Sequence, residues 1–356
     1  MRLVNIAYVV EGSVLARPLI APNGKVLLQA GITLSRSYID KLARLGLDTM
    51  FIEDATFEDV EITSAVSLKT REVAYAAILN LSKNIDESRL RSGKLDGVKN
   101  AVRNIIGDLL DNKGLLGNII EIQGHDDYTF HHSVNTTIIA LLMGISMGWS
   151  DNKLFELGMG VLMHDVGKIK IPEEIFNKVG PLTLEEFDEI KKHSEYGFQI
   201  LRKNRDINIV SAHVALQHQE RWDGSGYPRG LKGTQIHEYA RVTAVADVYE
   251  ALTSKRIYRN AHQPYEAYEY LIANSDWLFE PLLVQKVFPK CITPYPTGTG
   301  VRLSNGQRGN VVKQNPNFPT RPYVRMTHDF YSRLFSPIDY NLVEHPSLMI
   351  VGIENR

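Results

Sequence analysis

Six residues spread over about 115 positions, His132, His164, Asp165, His193, His218 and Asp247, are imidazoles and carboxylates of the kind that bind divalent metal ions. The densest stretch is His218-Gln219-Glu220-Arg221-Trp222-Asp223-Gly224-Ser225-Gly226-Tyr227-Pro228. Nitrogen and oxygen ligands without thiolate favour Mn, Fe, Zn or similar ions over iron–sulfur chemistry. An Asp carboxylate has two oxygens and can bridge two ions, whereas each imidazole nitrogen serves one, so Asp165 is the natural bridge. Two ions so bridged would lie roughly 3.5–4 Å apart, create hydroxide from a bridging water at neutral pH and clamp a phosphoryl oxygen. The expected reaction class is phosphoester hydrolysis, with Asp165 and Lys168 as its catalytic residues. Lys168, three positions after Asp165, would stabilise the phosphorane or protonate the leaving alkoxide. Its plain alternative is a solvated lysine at a helix end.

Ligands so far apart in sequence can meet only if several helices converge. A helix from about Lys153 carries Leu154, Leu157 and Val161 in one row, and His164 is the next position in it. The His-Asp pair is therefore expected to continue the inward face of that helix. Thr183 with Glu186 forms a capping-box signature, and the helix after it should place Phe187, Ile190 and then His193 inward. His132 begins a row through Asn135, Thr136, Ile139 and Met143, and Asp247 sits among Ala244, Ala246 and Ala251, small residues that suit a crowded centre. Any one buried His or Asp is ordinarily structural. Several together are not, because each uncompensated buried carboxylate costs several kcal/mol and a cation supplies the compensation. The Gly224–Pro228 loop permits close backbone approach and would offer Tyr227 to a nucleotide, while Arg256 and Arg259, nine and twelve residues after Asp247, would hold phosphate.

Composition excludes several other classes. With 40 Lys+Arg against 41 Asp+Glu the net charge is −1, so nothing global steers the chain to nucleic acid or an anionic membrane. The longest apolar run, residues 137–149, is interrupted by Gly144, Ser146 and Gly148 and is too short to span a bilayer. No signal-peptide core opens the chain, and a lone Cys291 suits a reducing compartment, so a cytoplasmic protein is expected.

Four segments are expected. Residues 1–60 read as a small β-rich module: an apolar run over 14–20, a turn at Pro22-Asn23-Gly24, Val26-Leu27-Leu28, a helix from Ser35 to Leu45 capped by Gly46, and a strand over Thr49–Ile52. It lacks the acidic cluster of a receiver domain. Residues 61–118 read as a helical connector broken near Ser92-Gly93-Lys94. Its stripe of Ile105, Leu109 and Leu110 is read as intramolecular core, with a homodimer or signalling helix as the sharper alternative. Residues 119–280 carry the chemistry on helices, and 281–356 read as a small β-rich module. There nine Lys+Arg against four Asp+Glu suggest solvated surface, or else a basic ligand patch.

His132-Ser133-Val134-Asn135, His164-Asp165-Val166-Gly167-Lys168, His193, the His218–Pro228 stretch and Asp247 through Arg259 fall in the order that resembles the HD-GYP family of cyclic di-GMP phosphodiesterases, a branch of the HD phosphohydrolases. The resemblance covers roughly residues 119–275. It implies a mainly α chain with an all-helical HD-type core holding two or three metals, commonly iron or manganese, and flanked by the β-rich modules. It further implies that His132, His164, Asp165, His193, His218 and Asp247 are ligands, with Lys168, Tyr227, Arg256 and Arg259 near substrate. Two departures stand out: Gln219 replaces the second of two adjacent histidines, and Tyr128 stands where trinuclear members carry glutamate. Two ions are therefore expected, the second held less tightly. Hydrolysis of cyclic di-GMP to pGpG, with GMP as a further product, is the leading expectation. The rivals are a catalytically degenerate cyclic di-GMP receptor or scaffold whose flanking modules bind protein partners, and an HD hydrolase of another nucleotide.

Overall fold

The structure, a computed structural model, describes residues 1–20, 26–62, 64–86, 89–90, 95–112, 128–178, 180–254, 261–329 and 334–355. In chain order, the N-terminal segment holds β1 (Arg2–Asn5), β2 (Leu19–Ile20), β3 (Val26–Leu28), α1 (Arg36–Arg44) and β4 (Thr49–Ile52). Next come α2 (Leu68–Lys83), the short pair β5 (Ile85–Asp86) and β6 (Arg89–Leu90), and α3 (Asp96–Asp111). The central helices are α4 (Tyr128–Ser146), α5 (Asp151–Leu162), α6 (Glu173–Phe176), α7 (Leu184–Lys191), α8 (His193–Leu201), α9 (Ile209–Gln217), α10 (Glu238–Thr253), α11 (Pro264–Ala273) and α12 (Phe288–Cys291). The chain closes with β7 (Gly300–Leu303), β8 (Arg308–Lys313), β9 (Tyr323–His328), β10 (Leu334–Asn341) and β11 (Ile350–Ile353). It is thus mainly helical, with β-rich ends.

The four segments expected above are distributed over two compact units. In one, residues of Met1–Ser64 fold with Ile292–Arg356. β1 pairs antiparallel with β4, and β7–β11 form an antiparallel sheet in the order β10-β9-β8-β7-β11. The β1 strand was not anticipated from sequence, because a four-residue strand at a chain end is too short to show a period. The two ends of the chain share a core in which Leu3, Phe51, Phe57, Val60 and Ile62 take in Val312. Backbone bonds join them too: Leu3 N donates to Gly298 O (3.0 Å) and Asn5 N to Asn355 O (2.7 Å).

The basic excess of the C-terminal segment is used inside this unit. Arg302 and Arg308 both pair with Glu354 at 2.9 Å, Arg325 is clamped between Asp59 (2.6 Å) and Asp339 (2.7 Å), and Arg321 donates to the Leu348 carbonyl (2.7 Å). Four of the segment's nine basic residues thus act as clamps within the unit. In the N-terminal segment α1 forms as read, with Ser35 as N-cap and Gly46 at φ 81° beyond its end. The Pro22-Asn23-Gly24 turn lies outside the described residues, as does Ser92-Gly93-Lys94.

The second unit contains the described residues of Ala65–Gly114 and Asp127–Cys291. The helices read as a connector therefore pack with the central ones, and helical structure continues past residue 280 to Cys291. Val98, Ala101, Val102, Ile105 and Leu109 of α3 are fully buried, and α3 packs on α2 and α5. That burial occupies the stripe whose rival reading was a dimer face, and Leu110 lies at its edge. Buried rows on α4 (Ile138, Ile139, Leu142, Met143), α5 (Leu154, Leu157, Val161), α9 and α10 complete the core and bring the chemically active positions to one centre. Among the described residues, no helix is long and apolar enough to cross a membrane.

Candidate metal centre

His132 and Asp247 project from within α4 and α10, but the other four ligand candidates sit at helix ends. The α5 helix stops at Leu162. His164 N bonds back to Val161 O in a tight 3.2 Å turn, and Val166–Lys170 form a 3-10 turn. The His-Asp pair is therefore in the turn beyond the helix, not on its continuing inward face. Gly167 explains why the turn fits: a Cβ there would lie 2.0 Å from His193 O and 2.4 Å from Gly197 N, so only glycine allows this approach to α8.

His193 also departs from expectation. The Thr183–Glu186 capping box forms, but α7 ends at Lys191 and His193 is the first residue of α8 rather than the next inward position of one continuous helix. Its apolar predecessor Phe187 is 43% exposed, so periodicity carried across the break would misplace it. His218 is the C-cap of α9.

All six residues nonetheless converge and all are buried. Asp165 lies in the middle, and its two oxygens face different imidazoles. The Oδ2 atom is 3.3 Å from His164 Nε2 and 3.7 Å from His132 Nε2, while Oδ1 is 3.6 Å from His193 Nε2 and 3.8 Å from His218 Nε2. Asp247 Oδ1 joins the first side, 3.0 Å from His132 Nε2. Two overlapping groups have ligand atoms spaced for an ion: His132, His164 and Asp247, and His164, Asp165 and His218.

Backbone carbonyls fix how these rings present themselves. His164 Nδ1 donates to Val161 O (2.7 Å), His193 Nδ1 to Ile190 O (2.7 Å) and His218 Nδ1 to Ala215 O (2.9 Å). Each bond places the proton on Nδ1 and turns the Nε2 lone pair inward, the arrangement that metal-ligating histidines share. As a result, His193 Nε2 and His218 Nε2 face each other at 3.1 Å, and burial holds both rings below the ordinary histidine pKa, in the neutral form a ligand needs. His164 Nε2 and Asp165 Oδ1 are buried without a hydrogen-bond partner. Orphaned inward lone pairs beside a carboxylate are what a bound cation satisfies, so the donor set fits divalent metal.

The two carboxylates stay charged. Burial pushes Asp165 up, but His164 and Lys168 outweigh it and hold it well below the usual range. Asp247 is held low in the same way by its bond to His132. Lys168 Nζ donates to Asp165 Oδ2 at 2.5 Å, which excludes the solvated-lysine alternative.

His132 differs from the other rings because its Nδ1 meets a buried carboxylate, Glu250, rather than a carbonyl. Burial opposes its charge, yet Glu250 on one nitrogen and Asp247 on the other push its pKa up to about 10. The metal-free ring therefore carries a proton across pH 7–9, and an ion that takes Nε2 must displace it. Metal uptake is expected to release about one proton from His132, and apparent affinity to rise by about tenfold per pH unit until the ring's own pKa is reached. Calorimetric titration in two buffers of different ionisation enthalpy reads that proton directly, and equal apparent enthalpies would contradict it.

Two carboxylates were missed in the sequence reading. Glu250 is one helical turn after Asp247 on α10, and that i, i+3 spacing was the available signal. Glu220 is buried, and its oxygens accept Arg229 N and Leu231 N, both at 2.9 Å, tying down the loop that carries Tyr227. Gly226 belongs to the same construction: a Cβ there would lie 2.4 Å from Arg221 N and 2.5 Å from Gln219 O. The loop thus brings Tyr227 beside the second half of the centre, with its ring 6.2 Å from that of His193.

Gln219 does not replace the missing imidazole. Its Nε2 donates to Asp247 Oδ2 (3.2 Å) and its Oε1 accepts from Arg221 Nη2 (3.3 Å). The Oδ1 side of Asp165 thus has two imidazoles, while the Oδ2 side has two imidazoles and Asp247. Arg256 and Arg259 lie outside the described residues, and Tyr128 is the first residue of α4.

The sequence matches the HD domain family over residues 118–283, and a KOW domain associated with HD domains over 300–356. A cyclic di-GMP phosphodiesterase of Pseudomonas aeruginosa, PA4108, is 34% identical over 243 residues, which are 68% of this chain and 58% of that protein. A cyclic di-GMP phosphodiesterase of Thermotoga maritima is 40% identical over 161 residues, 45% of this chain and 44% of that protein. A 3'3'-cGAMP-specific phosphodiesterase of Vibrio cholerae is 44% identical over 124 residues, 35% of this chain and 24% of that protein. The chain thus spans about half the length of the first two of these relatives, and less of the third. Among solved structures, the HDG"Y"P protein Bd1817 of Bdellovibrio bacteriovorus has the same fold over 80% of this chain and 97% of its own, with a TM-score of 0.52 and 16% identity.

Proposed function

We propose that the chain is a member of the HD-GYP branch of the HD-domain family and a metal-dependent phosphodiesterase that opens cyclic di-GMP to pGpG, with GMP as a further product. The observation that carries the reading is Asp165, whose two oxygens face two separate pairs of inward-turned imidazoles. His132, His164, Asp247 and one Asp165 oxygen would hold a first ion, and His193, His218 and the other oxygen a second, with iron or manganese favoured by the donor set. Bound ions supply Lewis acidity to the phosphoryl oxygen and lower the pKa of water.

The protein's own groups do the rest. Water adds to phosphorus and the P–O3′ bond breaks, leaving a 5′-phosphate and a 3′-hydroxyl. Lys168, held beside Asp165, sets a positive charge where negative charge develops, donates the proton that the departing O3′ takes up, and regains a proton from the one the attacking water gives up. Tyr227 closes the His193 side and offers its ring to a base, and Arg256 and Arg259 are the proposed phosphate contacts.

One observation supports a second reading, a receptor that binds the dinucleotide without turning it over: Gln219, where the resembling family carries a second histidine, is engaged with Asp247 and Arg221 and supplies no imidazole to the centre. The similarity to a 3'3'-cGAMP-specific enzyme also makes a mixed dinucleotide worth testing. Full-length protein reconstituted anaerobically with iron or manganese and offered cyclic di-GMP or 3'3'-cGAMP separates these readings. Linear product from cyclic di-GMP supports the proposal. Tight binding without product by a fully loaded protein supports the receptor, and turnover of 3'3'-cGAMP alone redirects the substrate assignment.

A further inference from the structure

A chain of polar contacts leads out of the metal centre to a helix that lies before the residues matching the HD domain family. It starts at His132, whose Nδ1 meets Glu250 Oε2. The other Glu250 oxygen accepts from Asn135 Nδ2 at 3.4 Å and from Ser254 Oγ at 2.6 Å. Asn135 Oδ1 in turn accepts from Arg71 Nη1 of α2 at 3.1 Å. His132, Asn135, Glu250 and Ser254 are all buried, so the contacts among them are sheltered from water, while Arg71 reaches Asn135 from the half-buried rim.

A second contact from the same face of α2 reaches the same turn of α4. Tyr75 stacks on His131, with ring centroids 4.5 Å apart and planes 26° from parallel. Arg71 and Tyr75 are spaced i, i+4 on α2, as are His131 and Asn135 on α4, and His132 lies between that second pair. The two helices are thus pinned at two matching points around a metal-ligand candidate.

We propose that Arg71 is a positioning residue of the metal centre: through Asn135 and Glu250 it sets the orientation of His132. The assignment rests on the metal-dependent reading above. The physical reason lies in polarisation along the chain. A guanidinium on Asn135 Oδ1 makes the amide a stronger donor at Nδ2. That donor and Ser254 fix one Glu250 oxygen, so the other is aimed at His132 Nδ1 and keeps Nε2 directed at the ion. An outer partner of a metal-bound histidine typically changes affinity by about 10–100-fold, and Arg71 is two bonds further out, so an effect near the lower end is expected. A change in α2 therefore has a route to the first ion without any contact with substrate.

The test uses the full chain and Mn(II), titrated anaerobically, with metal-free melting as the check on folding. Arg71→Met keeps the volume of the side chain and removes its charge. It is expected to melt within a few degrees of wild type, to bind the first Mn(II) about tenfold more weakly, and to lose kcat with little change in KM. Arg71→Lys should recover part of the affinity. Asn135→Ser, which removes both contacts of the amide, should reproduce the loss and serves if Arg71→Met fails to fold. The decisive comparison is the pair Arg71→Met and Glu250→Gln: the double variant should bind Mn(II) no more weakly than Glu250→Gln alone, because Arg71 acts through that carboxylate. Wild-type affinity in folded Arg71→Met, or an additive loss in the double variant, overturns the assignment. Wild-type protein that takes up no Mn(II) overturns the metal reading and this assignment with it.

Discussion

Asp165→Ala is expected to abolish turnover of the reconstituted protein, by about 10³-fold or more in kcat, and to leave less than one tightly bound ion per chain. Removing one group that stabilises developing charge costs about 10²–10³ on its own. Asp165 does more than that, since its oxygens face both His132/His164 and His193/His218 and it also holds Lys168 in place. Asp165→Asn is the sharper control, because it preserves shape while removing the charge, and it should lose nearly as much. Metal content by mass spectrometry and product formation, measured on the same samples, check both halves. Retention of two ions by either variant would show that the carboxylate is not their bridge.

Gln219→His is expected to act in the opposite direction, tightening the second ion by about tenfold or more. The comparison again comes from outer-sphere effects, which alone change affinity by about 10–100-fold, and here a direct ligand is restored. An imidazole at position 219 would start from beside Asp247 Oδ2, where the Gln219 amide lies, and would add a nitrogen to a centre that already has the inward rings of His132, His164, His193 and His218. The substitution also removes the Gln219 contacts to Asp247 and Arg221, so part of the gain is offset by two lost hydrogen bonds at about 1 kcal/mol each. Titration of the second equivalent of Mn(II) reads the change. If wild type turns over slowly because its second ion dissociates, activity at limiting metal should rise in parallel. Unchanged affinity for the second equivalent would show that the imidazole cannot reach the ion from this position.

The identity of the metal candidates was legible because each occurs in a short string whose neighbours are apolar or small, as with His132 ahead of Ile139 and Met143 or Asp247 among alanines. Their exact placement was less so. His164 and Asp165 were assigned to the inner face of a continuing helix, but the close approach of Gly167 to His193 O requires a 3-10 turn there, a tertiary constraint that periodicity does not contain. His193 was reached by carrying one helix through a break between Lys191 and His193, which gave the right burial from the wrong element. Glu250 went unassigned because a lone Glu on a helix usually faces solvent, and only the fold brings His132 and Asn135 onto it. The terminal modules were read separately, since nothing in either strand pattern indicates that Leu3 bonds to Gly298 or that Arg325 closes on Asp59.

The most direct measurement is electron paramagnetic resonance of the protein loaded with two equivalents of Mn(II). Ions bridged by the Asp165 carboxylate should give an exchange-coupled spectrum that is lost in Asp165→Asn, with the six-line signal of an isolated ion in its place. Two uncoupled six-line signals in wild type, or a coupled spectrum that survives Asp165→Asn, would contradict a dinuclear centre built on Asp165.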